Sequence, residues 1–264
     1  MDHSRSLEYL VNEGLGKYIN LNADETAVVN GEVQKVIPPN VDDLARIHQL
    51  IRSRKSFTVL EFGVGFSTIV IADALKKNKL DWETLENKPK IRNRFMFQCF
   101  SVDSSELWLN TAENRMHEDL KEFVNFHFSK VKIGTHNGQL CHFYESLPDI
   151  VADFIYLDGP DPKTVEGSIN GLTFNCEERT VMAADLLLME PTFLPGTFIL
   201  LDGRTNNARF LKNNFKREYE FCWDKRGDIT TFELVEERLG KYNLLGSDFF
   251  KEEVALTGTP KIPA

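Results

Sequence analysis

The stretch Thr58-Val-Leu-Glu-Phe-Gly-Val-Gly-Phe-Ser-Thr-Ile-Val-Ile-Ala-Asp-Ala-Leu75 predicts a buried strand, a glycine turn and a helix. Gly63 and Gly65 mark the turn, because glycine lacks a Cβ and lets the backbone take positive φ and approach a ligand closely. Ser67 or Thr68 can cap the helix after the turn. The free N–H groups at the start of that helix favour the polar end of a ligand.

Glu61 stands at the carboxyl end of this strand, two residues before the first glycine. A carboxylate there repels a pyrophosphate, so the turn favours a cationic or hydroxyl-bearing ligand. The motif Glu61-Phe-Gly-Val-Gly-Phe-Ser-Thr68 resembles the first motif of the class I S-adenosylmethionine-dependent methyltransferases, which often have a third glycine where Ser67 stands. The alternative is an ordinary tight turn in a doubly wound domain. The resemblance implies that the cofactor is bound by Glu61, Gly63, Gly65, Ser67 and Thr68.

The composition favours one large soluble α/β domain that acts on a small molecule. The chain has 264 residues, of which 42% are hydrophobic and 27% charged, and no apolar run is long enough to span a bilayer. The net charge of -9 argues against nucleic acid as a partner. The four cysteines lack the paired spacing of a zinc site or a disulfide framework, and Met1–Ser6 is not followed by a signal-peptide stretch. We therefore expect a cytoplasmic protein with no membrane partner; its oligomeric state is not predicted.

Residues 1–56 are predicted to form an accessory segment ahead of the nucleotide-binding pattern. Asn30-Gly31 lies between two short runs of strand character, Thr26–Val29 and Glu32–Val36, and predicts a hairpin with a type I′ turn. Asn40 is predicted to cap a helix that extends through Ile51. Such segments cover the substrate side in related enzymes, and a stabilising flap is the other interpretation.

The second strand is predicted over Phe97–Val102 and ends in Asp103, after a charged stretch, Lys76–Arg94, that we interpret as a loop insertion. An acidic residue at this position accepts hydrogen bonds from ribose hydroxyls in adenosine-binding folds. Asp103 is therefore predicted to bind the cofactor, together with Ser104. The alternative is that Asp103 only caps the helix that begins near Ser105; both roles are compatible if Ser104 is the cap.

The third strand is predicted over Val124–Ile133, followed by a loop of turn-forming residues, Gly134–Gly138. In the methyltransferases that the chain resembles, this loop lies beside the adenine. The resemblance therefore adds Asn137 and Gly138 to the cofactor-binding candidates, and His136 is a weaker one.

Two further strands are predicted to end in aspartates. Val151–Leu157 leads into Asp158, and Thr197–Leu201 leads into Asp202. Carboxyl ends of neighbouring parallel strands border the crevice where such sheets bind ligands. The resemblance implies that Asp158 lies where the transferred methyl group meets its acceptor, in contact with both cofactor and substrate.

Asp158 and Asp202 are the predicted catalytic residues, and either could take a proton from the acceptor. In catechol-type O-methyltransferases the second aspartate is followed by asparagine and a divalent cation is bound. Here Gly203 follows instead, so a divalent cation is left open as an alternative and is not predicted. A helix is predicted between the two strands, over Asn175–Met189.

The end of the pattern predicts an antiparallel hairpin, with strands over Glu218–Trp223 and Ile229–Val235. The expected fold is an α/β, doubly wound, mostly parallel seven-stranded sheet with this C-terminal hairpin and an N-terminal hairpin and helix extension. The cofactor domain is expected to cover 57–238 and a tail 239–264.

The sequence thus predicts an S-adenosylmethionine-dependent methyltransferase for a small acceptor, with O-methylation favoured. One alternative is an NAD(P)-dependent oxidoreductase, which would carry a third glycine near Ser67 and a Tyr-x-x-x-Lys signature that the chain lacks. The other is a non-catalytic nucleotide-binding protein of the same fold.

Overall fold

The computed structural model describes residues 3–18, 26–29, 32–35, 39–88, 90–238, 240, 243 and 245–246. Among these residues no helix has the length and apolar character needed to cross a membrane. The α-helices are α1 (His3–Asn12), α2 (Val41–Arg54), α3 (Phe66–Glu83), α4 (Glu106–Arg115), α5 (Glu118–Lys121), α6 (Asp185–Met189) and α7 (Thr205–Asn214). The strands are β1 (Thr26–Val29), β2 (Glu32–Lys35), β3 (Thr58–Phe62), β4 (Gln98–Asp103), β5 (Val124–Phe128), β6 (Val131–His136), β7 (Gln139–Tyr144), β8 (Phe154–Leu157), β9 (Val165–Glu166), β10 (Phe198–Asp202), β11 (Tyr219–Asp224) and β12 (Ile229–Leu234).

Seven strands form the main sheet, in the order β11, β12, β10, β8, β3, β4 and β5. The five strands from β10 to β5 are parallel, β12 is antiparallel to β10, and β11 is antiparallel to β12. The predicted doubly wound sheet with a C-terminal hairpin is therefore confirmed. The strand order reverses between β3 and β8, and ligands of open α/β sheets bind at the carboxyl ends of the strands beside such a reversal.

The two faces of the sheet are covered differently. Helices α1, α2 and α3 cover one face, and α6, α7 and a second, three-stranded sheet cover the other. All residues of β3 and β8 are buried, which explains why both strands are almost continuously apolar in sequence. Glu61 is the one charged residue among them.

The predicted third strand is two strands, and this part of the prediction was wrong. β5 joins the main sheet beside β4, whereas β6 pairs with β7 and β9 and belongs to the second sheet. Ser129 and Lys130 connect the two strands, and Ser129 Oγ accepts a hydrogen bond from the Ser146 N–H at 2.9 Å. The predicted loop Gly134–Gly138 is consequently the end of β6 and the turn of a hairpin.

Two predicted boundaries around helices were also wrong. The stretch expected to be a loop after Lys76 continues α3 as far as Glu83, because Asn78 is buried and donates to the carbonyls of Ile51 and Ser56. The helix expected over Asn175–Met189 begins only at Asp185. Residues 182–184 are not helical, and their backbone pairs with His142 of β7.

The N-terminal segment has the predicted elements. β1 and β2 pair antiparallel, with Val29 opposite Glu32, while the Asn30-Gly31 turn lies outside the described residues. Asn40 caps α2 by accepting the Asp42 N–H at 3.1 Å. Helix α2 packs on α3, and Arg54 at its end forms an ion pair of 2.9 Å with Glu233 in β12. The predicted tail 239–264 lies almost entirely outside the described residues.

Candidate active site

Glu61 lies beneath the glycine turn, with no exposed surface. Its carboxyl group accepts hydrogen bonds from the hydroxyls of Ser67 at 2.5 Å, Thr68 at 2.7 Å and Ser101 at 2.5 Å. Burial raises the pKa of Glu61 to about 7, and the three hydroxyl donors oppose that rise. Glu61 therefore contacts the turn through the Ser67 and Thr68 hydroxyls and has no surface of its own, an arrangement that a sequence motif cannot reveal.

The helix after the turn begins at Phe66, with Gly65 in the N-cap position. The sequence predicted Ser67 or Thr68 as the cap residue, and this was wrong. Both side chains donate hydrogen bonds to Glu61 instead. Thr68 Oγ1 still accepts the Gly65 N–H at 3.2 Å, so it satisfies one of the N–H groups at the start of the helix.

Asp103 ties the end of β4 to the glycine turn. Its Oδ2 accepts the Val64 N–H at 3.0 Å, and its Oδ1 accepts the Ser105 N–H at 2.8 Å. Burial raises the pKa of Asp103, and these backbone donors oppose the rise. The cap of α4 is Ser105, which accepts the Trp108 N–H, so the alternative that Ser104 is the cap was wrong.

Gly63 brings the glycine turn into backbone contact with the loop after β8. Its φ is +92°, and a Cβ at this position would lie 2.8 Å from the backbone nitrogen of Gly159. A Cβ on Gly159 would lie 2.6 Å from the Gly63 nitrogen. Side chains do not fit at that distance, so both residues must be glycine for the two backbones to touch.

A cavity of about 690 Å³ opens at the carboxyl ends of β8 and β10. Asp158, Asp202 and Arg204 line it from the strand ends, and residues 174–181 line it from the loop before α6. The cavity includes Asp158 and Asp202, which were predicted to meet an acceptor; no residue of the glycine turn lines it, and the link between the two is Gly159, which follows Asp158 and touches Gly63. Its volume is in the range of small-molecule sites.

Asp202 and Asp158 have different surroundings within this cavity. Asp202 Oδ2 accepts a hydrogen bond from the Tyr156 hydroxyl at 3.4 Å, and burial together with the nearby carboxylates of Asp43 and Asp158 raises the pKa of Asp202 to about 7. The Asp158 side chain is 52% exposed and forms an ion pair of 3.6 Å with Arg204. Partial desolvation raises the pKa of Asp158, and Arg204 opposes that rise.

Helix α2 contributes residues that sequence reasoning missed. Asp43 lies close enough to Asp202 for its charge to raise the pKa of Asp202, and it is itself paired with Arg46, one turn further along the helix. Asp43 was counted only as a polar residue of an accessory helix. No local signal distinguishes it, because its role depends on how α2 packs beside the end of β10.

The remaining predicted residues lie in two places. Ser104 follows Asp103 at the end of β4, and its hydroxyl is hydrogen-bonded to Thr164 at 2.7 Å. Asn137 and Gly138 form the turn between β6 and β7, where the Asn137 amide donates to Asn214 in the last turn of α7. Because α7 begins beside the cavity and Asn214 is its last residue, Asn137 and Gly138 are not brought to the carboxyl edge of the main sheet.

No protein-family model and no curated protein matches the chain. Among solved structures, the chain is similar to the O-methyltransferase TomG from Streptomyces achromogenes in complex with SAM, with 13% identity, 89% of each chain covered and a TM-score of 0.40. It is also similar to the O-methyltransferase from Bacillus cereus in complex with SAH, with 14% identity, 88% of this chain and 91% of that chain covered, and a TM-score of 0.36. For cofactor-bound Rv0187 from MTB the identity is 10%, the coverage again 88% and 91%, and the TM-score 0.39.

The order and direction of the strands define the fold independently of these matches. Five parallel strands are followed by a hairpin whose second strand, β12, lies antiparallel between β10 and β11. The protein has a Rossmann-like, doubly wound α/β fold. This fold places the glycine turn, Asp103 and Asp158 along one edge of the sheet, as the sequence motifs predicted.

Proposed function

We propose that the protein transfers a methyl group from S-adenosylmethionine to a hydroxyl group of a small-molecule acceptor. The observation that carries the proposal is the convergence of three features at one edge of the sheet. These are the glycine turn over Glu61, the carboxylate of Asp103, and the cavity lined by Asp158 and Asp202.

The cofactor side has groups suited to an adenosine-containing ligand. Each carboxylate oxygen of Asp103 accepts one backbone N–H and keeps a further lone pair, so the pair can accept hydrogen bonds from two ribose hydroxyls. The Ser67 hydroxyl is partly exposed at the start of α3. When bound, S-adenosylmethionine supplies a methyl group that is already activated by a positively charged sulfur.

On the acceptor side we assign Asp202 as the general base. A base is most effective when its pKa lies near the working pH, and the pKa of Asp202 is raised to about 7. Asp158, held by Arg204, is assigned to orient the acceptor hydroxyl. The walls of the cavity restrict water and hold the acceptor in line with the methyl group, which accounts for much of the rate gain in such transfers.

Calorimetry with S-adenosylhomocysteine, NAD and NADP tests the cofactor assignment. We expect S-adenosylhomocysteine to bind, and Asp103→Asn to weaken its binding at least tenfold because one ribose acceptor is lost. Asp119→Asn, at an exposed surface position, is the control and should leave the dissociation constant unchanged. Binding of NAD with no response to S-adenosylhomocysteine would favour an oxidoreductase.

Methyl transfer from labelled S-adenosylmethionine to a library of hydroxyl-bearing metabolites tests the reaction itself. A labelled product whose methyl group is on oxygen is the expected result. If S-adenosylhomocysteine binds and none of the acceptors is methylated, the non-catalytic alternative gains support.

A further inference from the structure

The metal-dependent O-methyltransferases that share this arrangement of aspartates hold a divalent cation, which raises the question of whether the residues at this edge suit such an ion. Mg²⁺ and Ca²⁺ are bound by six or more oxygen ligands. At this edge the residue after Asp202 is Gly203, which has no side chain to offer. Asn207 is buried, and both ends of its amide are bonded to Ala183, since the amide accepts the Ala183 N–H and donates to the Ala183 carbonyl.

Among the described residues, the carboxylates at this edge also do not form a group of three whose ligand atoms lie within 4.8 Å of one another. Within the described part of the chain, one group of His, Cys, Asp or Glu residues has its ligand atoms within 4.8 Å of one another. It consists of Glu13, which follows α1, His48 in α2 and Asp73 in α3. Asp158 and Asp202 belong to no such group. In the Glu13 group, Lys77 Nζ lies 2.6 Å from each carboxylate and forms an ion pair with both.

A guanidinium group is present beside the first of the two aspartates. Arg204 Nε lies 3.6 Å from Asp158 Oδ1, its Nη2 donates to the Asp158 carbonyl, and its Nη1 donates to the Pro160 carbonyl at 3.5 Å. Arg204 lines the cavity, and its Nε makes no hydrogen bond. A divalent cation bound to Asp158 would therefore lie close to a permanent positive charge, which repels it.

We propose that Arg204 supplies the positive charge that stabilises the acceptor oxygen during methyl transfer, in place of a divalent cation. This inference rests on the proposed function. A fixed cation directed at the position where negative charge develops is a main source of catalysis in enzymes of many folds. Arginine suits this role because it is charged at every working pH and presents several N–H donors.

The step balances without a metal. The acceptor hydroxyl gives its proton to the Asp202 carboxylate while its oxygen forms a bond to the methyl carbon. The bond between that carbon and sulfur breaks, and its electron pair remains on sulfur, whose positive charge is lost. Negative charge on the acceptor oxygen is greatest before the new bond is complete, and Arg204 acts at that moment.

The test compares wild type, Arg204→Lys and Arg204→Gln, with the acceptor found in the methyl-transfer screen. In EDTA the wild type should keep its full rate, and added Mg²⁺ should not raise it. Arg204→Gln should lower kcat roughly 100- to 1000-fold with little change in the KM for S-adenosylmethionine. Arg204→Lys keeps the charge and should retain most of kcat. If the guanidinium group had only a structural role, kcat would fall in both variants.

Binding of Mn²⁺, followed by its electron paramagnetic resonance signal, gives a second readout that needs no acceptor. In wild type we expect no Mn²⁺ signal that disappears in the Asp158→Asn variant. A Mn²⁺ signal that disappears only in Asp73→Asn comes from the Glu13 group and agrees with the proposal. The proposal is overturned by Mn²⁺ binding that depends on Asp158, by loss of the rate in EDTA, or by Arg204→Gln and wild type having equal kcat.

These failures are distinct from failure of the proposed function. Wild type that does not bind S-adenosylhomocysteine contradicts the function itself. Wild type that binds it but needs a metal for turnover contradicts only the role of Arg204.

Discussion

Glu61 is a single buried carboxyl group that organises the glycine turn. Sequence reasoning placed it against the ligand, but in the structure it has no exposed surface and organises three hydroxyl groups below the turn. A buried carboxyl that is costly to ionise persists in a fold when its hydrogen bonds fix a local structure. Here the fixed structure is the glycine turn and the first turn of α3.

The pKa of Glu61, raised from 4.5 to about 7, makes stability depend on pH. In the unfolded chain this carboxyl loses its proton near pH 4.5, whereas the folded protein holds the proton until about pH 7. Its contribution to the free energy of unfolding is therefore fully present below pH 4.5 and is lost as pH rises to 7. Glu61→Gln should be more stable than wild type at pH 8 by about 3 kcal/mol and nearly equal to it at pH 4.5.

Urea unfolding at the two pH values measures this difference. Glu118→Gln is the matched control, since the Glu118 side chain is 83% exposed and the substitution should change stability little at either pH. A difference between Glu61→Gln and wild type that is the same at both pH values would contradict the buried, titrating carboxyl.

At the residue scale, the proposed role of Asp202 as general base predicts how kcat depends on pH. As a general base it must be ionised, so kcat should rise as pH passes through its pKa of about 7. Asp202→Asn should lower kcat by about 100- to 10,000-fold and remove that rise. Glu177→Gln, at another carboxylate that lines the cavity, should keep the pH profile; if it abolishes the profile instead, the base has been assigned to the wrong residue.

At the scale of elements, the contact between the glycine turn and the loop after β8 carries a prediction for stability. Gly63→Ala forces a Cβ against the Gly159 backbone in addition to straining a positive φ, and should cost about 3 kcal/mol or more. Gly138→Ala is the matched control, because Gly138 has φ +74° but no atom within 4 Å of the new Cβ. It should cost about 1 kcal/mol. Denaturant unfolding of both variants separates steric overlap from backbone strain, and equal losses would contradict the close contact.

The elements that could be predicted are those with strong local signals. The apolar run before Gly63, the cap at Asn40 and the alternation before the last turn each specify an element from a few residues. The second sheet could not be predicted, because the alternation of Val124–Ile133 fits one strand as well as two, and only packing over the main sheet decides where it divides. The polar residues after Lys76 continue α3 for a similar reason, since Asn78 finds its partners in the distant Ile51 and Ser56 carbonyls.

Within the site, the residues that could be predicted are those at the ends of strands. Asp103, Asp158 and Asp202 lie at the carboxyl edge because parallel strands place their ends together. Asp43 and the clamp of Arg204 on Asp158 were not predicted, since both depend on distances between elements. Asn137 was assigned by the resemblance alone, and the course of β6 carries it to the other end of α7.

At the scale of the whole molecule, contacts of Arg54 attach the accessory segment to the edge of the sheet that carries the C-terminal hairpin. Arg54 donates to Glu233 and to the Gly196 carbonyl, each at 2.9 Å, and its guanidinium lies 4.4 Å from the ring centre of Phe198. These contacts attach α2, the helix that carries Asp43, to β12 and to the residues just before β10.

Arg54→Ala should therefore lower the free energy of unfolding by about 2 kcal/mol, through the lost charged hydrogen bonds and ring contact. Arg94→Ala serves for comparison, because Arg94 is 73% exposed and its partner Asp149 is fully exposed; its loss should stay within about 0.5 kcal/mol. Thermal or urea unfolding measures both, and a loss for Arg54→Ala as small as that for Arg94→Ala would show that the fastening contributes little.

The touching main chains of Gly63 and Gly159 also bear on how the two halves of the pocket respond to occupancy. A molecule that displaces one of these peptide segments by a few tenths of an ångström must displace its neighbour, since neither can be compressed. If one ligand binds at the glycine turn and another in the cavity, as the proposed function requires, their binding is then thermodynamically reciprocal. Whatever factor the first guest imposes on the affinity of the second, the second imposes on the first.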